Sequence, residues 1–148
     1  PELIKLTKLT HSSRNPMNSK LGHVLINVTP ANIAFYRRLM IFLGWEMVHE
    51  DEQMVAVGDG SRSLWFTATA NDHANDYDGV GTNHIAFHTE TVADVDATVD
   101  YLEAQGIDAL FGTPRHRPEF SGAGHTYYQV MFESPDGILF EVVYIGPV

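Results

Sequence analysis

There is no cysteine in the 148 residues. That removes disulfides, thiolate metal sites and a cysteine nucleophile together. Basic residues are scarce: nine Lys and Arg face nineteen Asp and Glu, for a net charge of −10. A chain of that sign repels phosphate backbones and anionic headgroups, so no nucleic-acid or membrane partner is expected. No apolar run approaches the roughly 20 residues that a membrane-spanning helix needs. The first residues carry no apolar stretch of the secretory kind. With cysteine absent as well, the expected location is cytoplasmic.

The chain does have an ordinary folded composition, 44% hydrophobic and 19% charged. A chain of this size buries about 68–70% of its unfolded surface, enough for a core without covalent staples. Residues 1–16 differ in character from the remainder of the chain and read as an extension ahead of Met17. Residues 17–148 read as one domain.

That domain contains its own pattern twice. His23 opens an apolar strand, followed by a helical pattern over 32–43 in which Ile33, Tyr36, Leu39, Met40 and Leu43 share a face. Gly44 closes it in the manner of a helix C-cap. Strands are expected at 45–50, 53–57 and 63–69. His84 then opens a second such strand, Thr91 caps a helix over 92–105, and Gly106 ends it. Strands are expected at 108–111, 126–132 and 138–145, with Ser134-Pro135-Asp136-Gly137 as a turn. His23 and His84 lie 61 residues apart, and Gly44 and Gly106 lie 62 apart. Two βαβββ units, about 21–69 and 82–145, therefore account for nearly everything after Met17. The fold class is α+β, with the two modules forming a cupped mixed sheet.

Three residues stand out chemically. His84 shares a strand face with Thr82, Ala86 and His88, a small and polar set suited to a cavity wall. His23 holds the corresponding place in the first unit. Glu141 sits inside the apolar run 138–145, where a buried carboxylate is costly unless it is paired or bound to a metal. Two imidazoles and a carboxylate are the parts of a three-ligand metal site with open positions. The bland alternatives are hydrogen-bonded core histidines and a glutamate on a solvated face. Spacing alone does not choose between them.

The paired units, His23, His84 and the segment from Ser134 to Glu141 resemble the vicinal oxygen chelate superfamily, over about 21–145. It includes glyoxalase I, extradiol dioxygenases, fosfomycin-resistance proteins and bleomycin-binding proteins. The resemblance implies one divalent metal ion (Fe, Mn, Zn or Ni) on His23, His84 and Glu141, and a homodimer. It also implies a reaction on a small molecule whose adjacent oxygens chelate the metal. Metal-dependent glyoxalases carry a fourth ligand on the last strand of the first unit. Here Ser63-Leu64-Trp65-Phe66-Thr67 offers none. Bleomycin-binding members lack the ligands that this chain retains.

Besides Glu141, candidate catalytic groups are His73 in the inter-unit stretch and Tyr127 or Tyr128, one of which faces in and the other out. Arg115 and Arg117 are a local exception to the acidic charge. The leading expectation is a metal-dependent dioxygenase, lyase or isomerase. The alternatives are a protein that sequesters a small ligand without chemistry and a structural dimer with a vestigial site.

Overall fold

The computed structural model describes residues 18–68 and 71–148. The extension 1–16, Met17 and the expected strand end at Thr69 lie outside the described residues. The element order is β1 (His23–Val28), a 3₁₀ turn (Pro30–Asn32), α1 (Ile33–Phe42), β2 (Glu46–Glu50), β3 (Met54–Gly58) and β4 (Ser63–Ala68). The second module comprises β5 (His84–Thr89), α2 (Val92–Ala104), β6 (Arg115–His116), a 3₁₀ turn (Pro118–Phe120), β7 (His125–Glu133) and β8 (Leu139–Pro147). Each module makes a four-stranded mixed sheet, ordered β1-β4-β3-β2 and β5-β8-β7-β6. In each, the first strand runs parallel to the last and the other pairings are antiparallel. This is the α+β fold of two βαβββ modules.

Local chemistry explains the helix ends. Thr91 caps α2 in a reciprocal capping box with Asp94. Gly44 and Gly106, at φ 82° and 71°, take the left-handed conformation that closes each helix. One expected strand is absent. The chain at 107–110 runs beside β7 but is held there by a backbone bond from Leu110 N to Met131 O, 2.8 Å. Phe111 and Gly112 then turn left-handed, at φ 55° and 65°, and a ladder needs successive extended residues. Pairing forms instead at Arg115–His116.

The two helices and the inner sheet faces share one apolar core drawn from both modules. Tyr36 on α1 is its central pin. Its ring is fully buried, stacks on Phe66 at 4.6 Å and meets Phe140 edge-on at 6.5 Å. Its hydroxyl donates to Asp136 Oδ2 (2.6 Å) and approaches Ser134 Oγ (2.9 Å), both in the β7–β8 turn. The same turn receives the Thr29 N–H on Asp136 Oδ1, 3.0 Å. The turn sequence therefore closes a hairpin and also clasps one module to the other.

Tyr36→Phe should cost about 1–2 kcal/mol, because it strips the half-buried Asp136 carboxylate of its donor. Urea unfolding should show a lower midpoint at an unchanged slope. Burial pushes the Asp136 carboxyl up, but the hydrogen bonds from Thr29 and Tyr36 outweigh it and hold the group below its ordinary value. Asp136 therefore stabilises the fold above the ordinary aspartate value of about 4 and loses that contribution as pH falls through its lowered folded value. Asp136→Asn should flatten this part of the acid limb.

Candidate metal centre

The register fixes which residues share the open face of the second sheet. Across β5 and β8, Ala86 stands opposite Glu141, and across β7 and β8, Met131 stands opposite Glu141. Alternation then places His84, Ala86 and His88 on one face with Leu139, Glu141, Val143, Tyr127, Gln129 and Met131. The other face packs on α2. Tyr128 goes that way: its hydroxyl donates to Asp96 Oδ1 on α2 (2.8 Å), and burial with Asp96 pushes it up to about 12. Of the two tyrosines, Tyr127 is the one facing in, and Tyr128 is removed from the site.

Glu141 is only 2% exposed, so it does not lie on a solvated face. Both its oxygens are engaged. Oε1 accepts from the Tyr127 hydroxyl at 2.6 Å, and Oε2 stands 3.0 Å from His84 Nε2. Burial and this bond push the Tyr127 hydroxyl well above its usual range, so it keeps its proton and acts as a donor.

The other side of His84 is set by Asn83. Asn83 Nδ2 donates to the Tyr77 carbonyl (2.9 Å), which turns its Oδ1 toward His84 Nδ1 at 2.7 Å. The imidazole thus has an acceptor at each nitrogen. With Nδ1–H toward Asn83, Nε2 meets the carboxylate through one shared proton or through a shared cation. Holding a ligating imidazole by its second N–H is the usual support of a metal-bound histidine. Two neighbouring donors of one ion, at bond lengths of about 2.1 Å, stand about 3.0 Å apart. The His84–Glu141 separation therefore fits a shared cation as well as a shared proton. The donor types suit Fe, Mn, Zn or Ni.

His23 is not part of this pair. It lies exposed on β1 in the other sheet, with Leu25 and Asn27 on the same face. Among the described residues, no three His, Asp or Glu side chains are placed to hold a metal ion. The register also identifies the position that corresponds to Glu141. Leu25 pairs with Trp65 as Ala86 pairs with Glu141. Trp65 occupies that place, donates its indole N–H to Ser63 Oγ (2.9 Å) and cannot serve as a metal ligand.

A cavity of about 820 Å³ opens beside His84, walled by residues 24–29 along β1, 71–75 between the modules and 82–85 entering β5. That is within the size range of small-molecule sites. His73 lines it together with Asn83 and His84. Asn83 escaped the sequence reading; its position next to His84 was the only available signal. His88 shares the site's face farther along β5, and His125 opens β7.

Comparison with known proteins agrees with this architecture. The family model for the Glyoxalase/Bleomycin resistance protein/Dioxygenase superfamily matches residues 20–142. An uncharacterized protein of Bacillus subtilis (strain 168), YqjT, is 42% identical over 64 residues, 43% of this chain and 47% of that protein. The matched part thus spans about half the length of that relative. A crystal structure from Bacillus halodurans, of a protein classed provisionally as a glyoxalase, is 29% identical with a TM-score of 0.71, covering 86% of this chain and 96% of that one. A lactoylglutathione lyase from Agrobacterium tumefaciens shares the fold at 20% identity and a TM-score of 0.56, over 88% and 96% of the two chains. With the family model spanning most of the chain and both modules in place, the protein belongs to the Glyoxalase/Bleomycin resistance protein/Dioxygenase superfamily.

Proposed function

We propose that the protein is a divalent-metal enzyme acting on a small molecule with two adjacent oxygens, and that its site is shared between two copies of the chain. The observation that carries this reading is His84 set between Asn83 and a buried Glu141, acceptors on both sides. His84 and Glu141 would hold the ion. The third donor is His23 of a second copy, since β1 presents it on an exposed face beside Leu25, itself 53% exposed. A homodimer would cover that apolar face.

A bound divalent ion supplies Lewis acidity toward two adjacent substrate oxygens. The chain's own residues do the rest. Asn83 fixes the ring orientation of His84. Tyr127 keeps its proton on Oη and holds Glu141 Oε1 in place. The apolar walls around Glu141 keep water from its carboxylate. His73, on the cavity wall, is the candidate to accept a proton from substrate.

Tyr127→Phe removes a supporting bond without removing a donor to the metal. It should weaken metal affinity or activity by about 10–100-fold, checked by competition with a chelating dye.

The three-donor set is not assembled within one chain, and this favours a competing reading in which the cavity sequesters a ligand without chemistry. Turnover separates the two. A catechol panel under Fe(II) and hemithioacetal isomerisation under Ni(II) or Zn(II) should yield one metal-dependent activity. A protein that binds such compounds with no metal dependence and no turnover would support sequestration instead.

A further inference from the structure

Residues 71–83, between the modules, form no helix or strand. They are nevertheless pinned to the β7–β8 hairpin at two points. Asn75 Nδ2 donates to the Gly137 carbonyl at 2.8 Å, and the Tyr77 hydroxyl donates to Glu133 Oε1 at 2.6 Å. Around Tyr77 the chain closes a tight turn, with Gly79 N donating to the Asp76 carbonyl at 3.3 Å.

The second tie reaches the face of the metal centre. Glu133 stands opposite Leu139 across β7 and β8, and Leu139 stands opposite His84 across β8 and β5. Laterally opposed residues share a face. Glu133 and His84 therefore end one row, two strand spacings or about 10 Å apart. Tyr77 bridges that row. Its hydroxyl meets Glu133 at one end, and its carbonyl accepts from Asn83 Nδ2 (2.9 Å) beside His84 at the other. Leu139, in the middle of the row, is buried.

We propose that Tyr77 and Glu133 are positioning residues for His84, acting through Asn83. A primary amide can present either its oxygen or its NH₂ group to a neighbour. Only the oxygen suits the Nδ1–H of His84, 2.7 Å away. The Tyr77 carbonyl decides between them by taking the Nδ2 donor. A carbonyl in an irregular linker has no ladder to aim it, so its direction depends on what anchors the residue. Here the anchor is a charge-assisted bond to Glu133, the stronger kind. The His84 side chain is 36% exposed, which leaves its ring to be held by bonds at its edges. The inference goes beyond the metal reading and rests on it only for the consequence in ion affinity.

The test reads the motion of the His84 ring in metal-free full-length protein, by carbon relaxation of ring-labelled histidine. It also reads Zn(II) or Ni(II) affinity, by competition with a chelating dye. In the wild type the ring order parameter should lie in the rigid range, about 0.85, and in Tyr77→Phe it should fall below about 0.6. Glu133→Ala should do the same. Glu133→Gln keeps an acceptor for the hydroxyl and should restore the wild-type value. Asn75→Ala cuts the neighbouring tie of the same linker and should leave the ring rigid. Adding Tyr77→Phe to Asn83→Ala should loosen the ring no further, because the route through Asn83 is already gone. Ion affinity should fall roughly 10-fold in Tyr77→Phe, the low end of what supporting bonds to metal ligands contribute. A ring that is mobile in the wild type, rigid in Tyr77→Phe or equally loosened by Asn75→Ala would overturn the proposal. Unchanged affinity in Tyr77→Phe, where the wild type binds the ion, would overturn it too. Where the wild type binds no divalent ion the metal reading fails, and the ring measurements alone decide.

Discussion

Glu141→Gln protein should come through purification without a bound ion and without metal-dependent activity. The side chain keeps its shape and can still accept from Tyr127, so the fold has no reason to fail. What changes is the charge on a donor that is 2% exposed and 3.0 Å from His84 Nε2. Loss of an ionised ligand should weaken metal affinity by at least about 100-fold, more than the loss of a supporting bond does. Thermal unfolding gives an independent readout. A ligand at about 100 times its Kd stabilises a protein by about 2.7 kcal/mol, or roughly 5–10 °C for a chain of this size. Added metal should raise the wild-type Tm by that amount and leave Glu141→Gln where it was. A wild-type shift reproduced in the variant would place the ion elsewhere.

The second large effect comes from mixing two dead proteins. If the site joins His84 and Glu141 of one chain with the partner's His23, then His23→Ala and Glu141→Ala should each be inactive. Unfolded together in equal amounts and refolded, they should regain activity. Half the dimers are then mixed. A two-fold symmetric dimer has two equivalent sites, and each mixed dimer rebuilds one of them from the two unmutated halves. The expected yield is about a quarter of wild-type activity and of wild-type metal content. A site built wholly within one chain gives none. Size-exclusion chromatography of the same mixture verifies that the pairs form.

How far these sites were legible in the sequence depended on the range of the interaction involved. The duplication was visible because the histidines and the helix-ending glycines repeat at nearly the same offset. Thr91 was readable as a cap because capping is a matter of three residues. Glu141 was conspicuous because a carboxylate inside a strand of Leu, Phe, Val and Ile needs a reason to be there.

What the sequence left open, or misplaced at one strand, was set by register or by distance between sheets. The strand expected at 108–111 gave way to Arg115–His116 because Phe111 and Gly112 turn the chain. Tyr127 and Tyr128 differ by one step of a strand, and only the pairing of β7 with β8 says which meets Glu141. The expectation that position 65 is no ligand rested on its residue type. The register then added that Trp65 is the counterpart of Glu141. Separation of His23 from His84 and Glu141 was not legible at all, because equivalence by duplication says nothing about which copies of the two modules meet.

Elemental analysis of the wild-type protein, purified without chelator and again after loading with Fe(II), Mn(II), Zn(II) or Ni(II) and desalting, tests the metal centre most directly. A metal held by His84 and Glu141 predicts close to one divalent ion retained per chain in at least one of these preparations. Retention of no ion in any of them would contradict it.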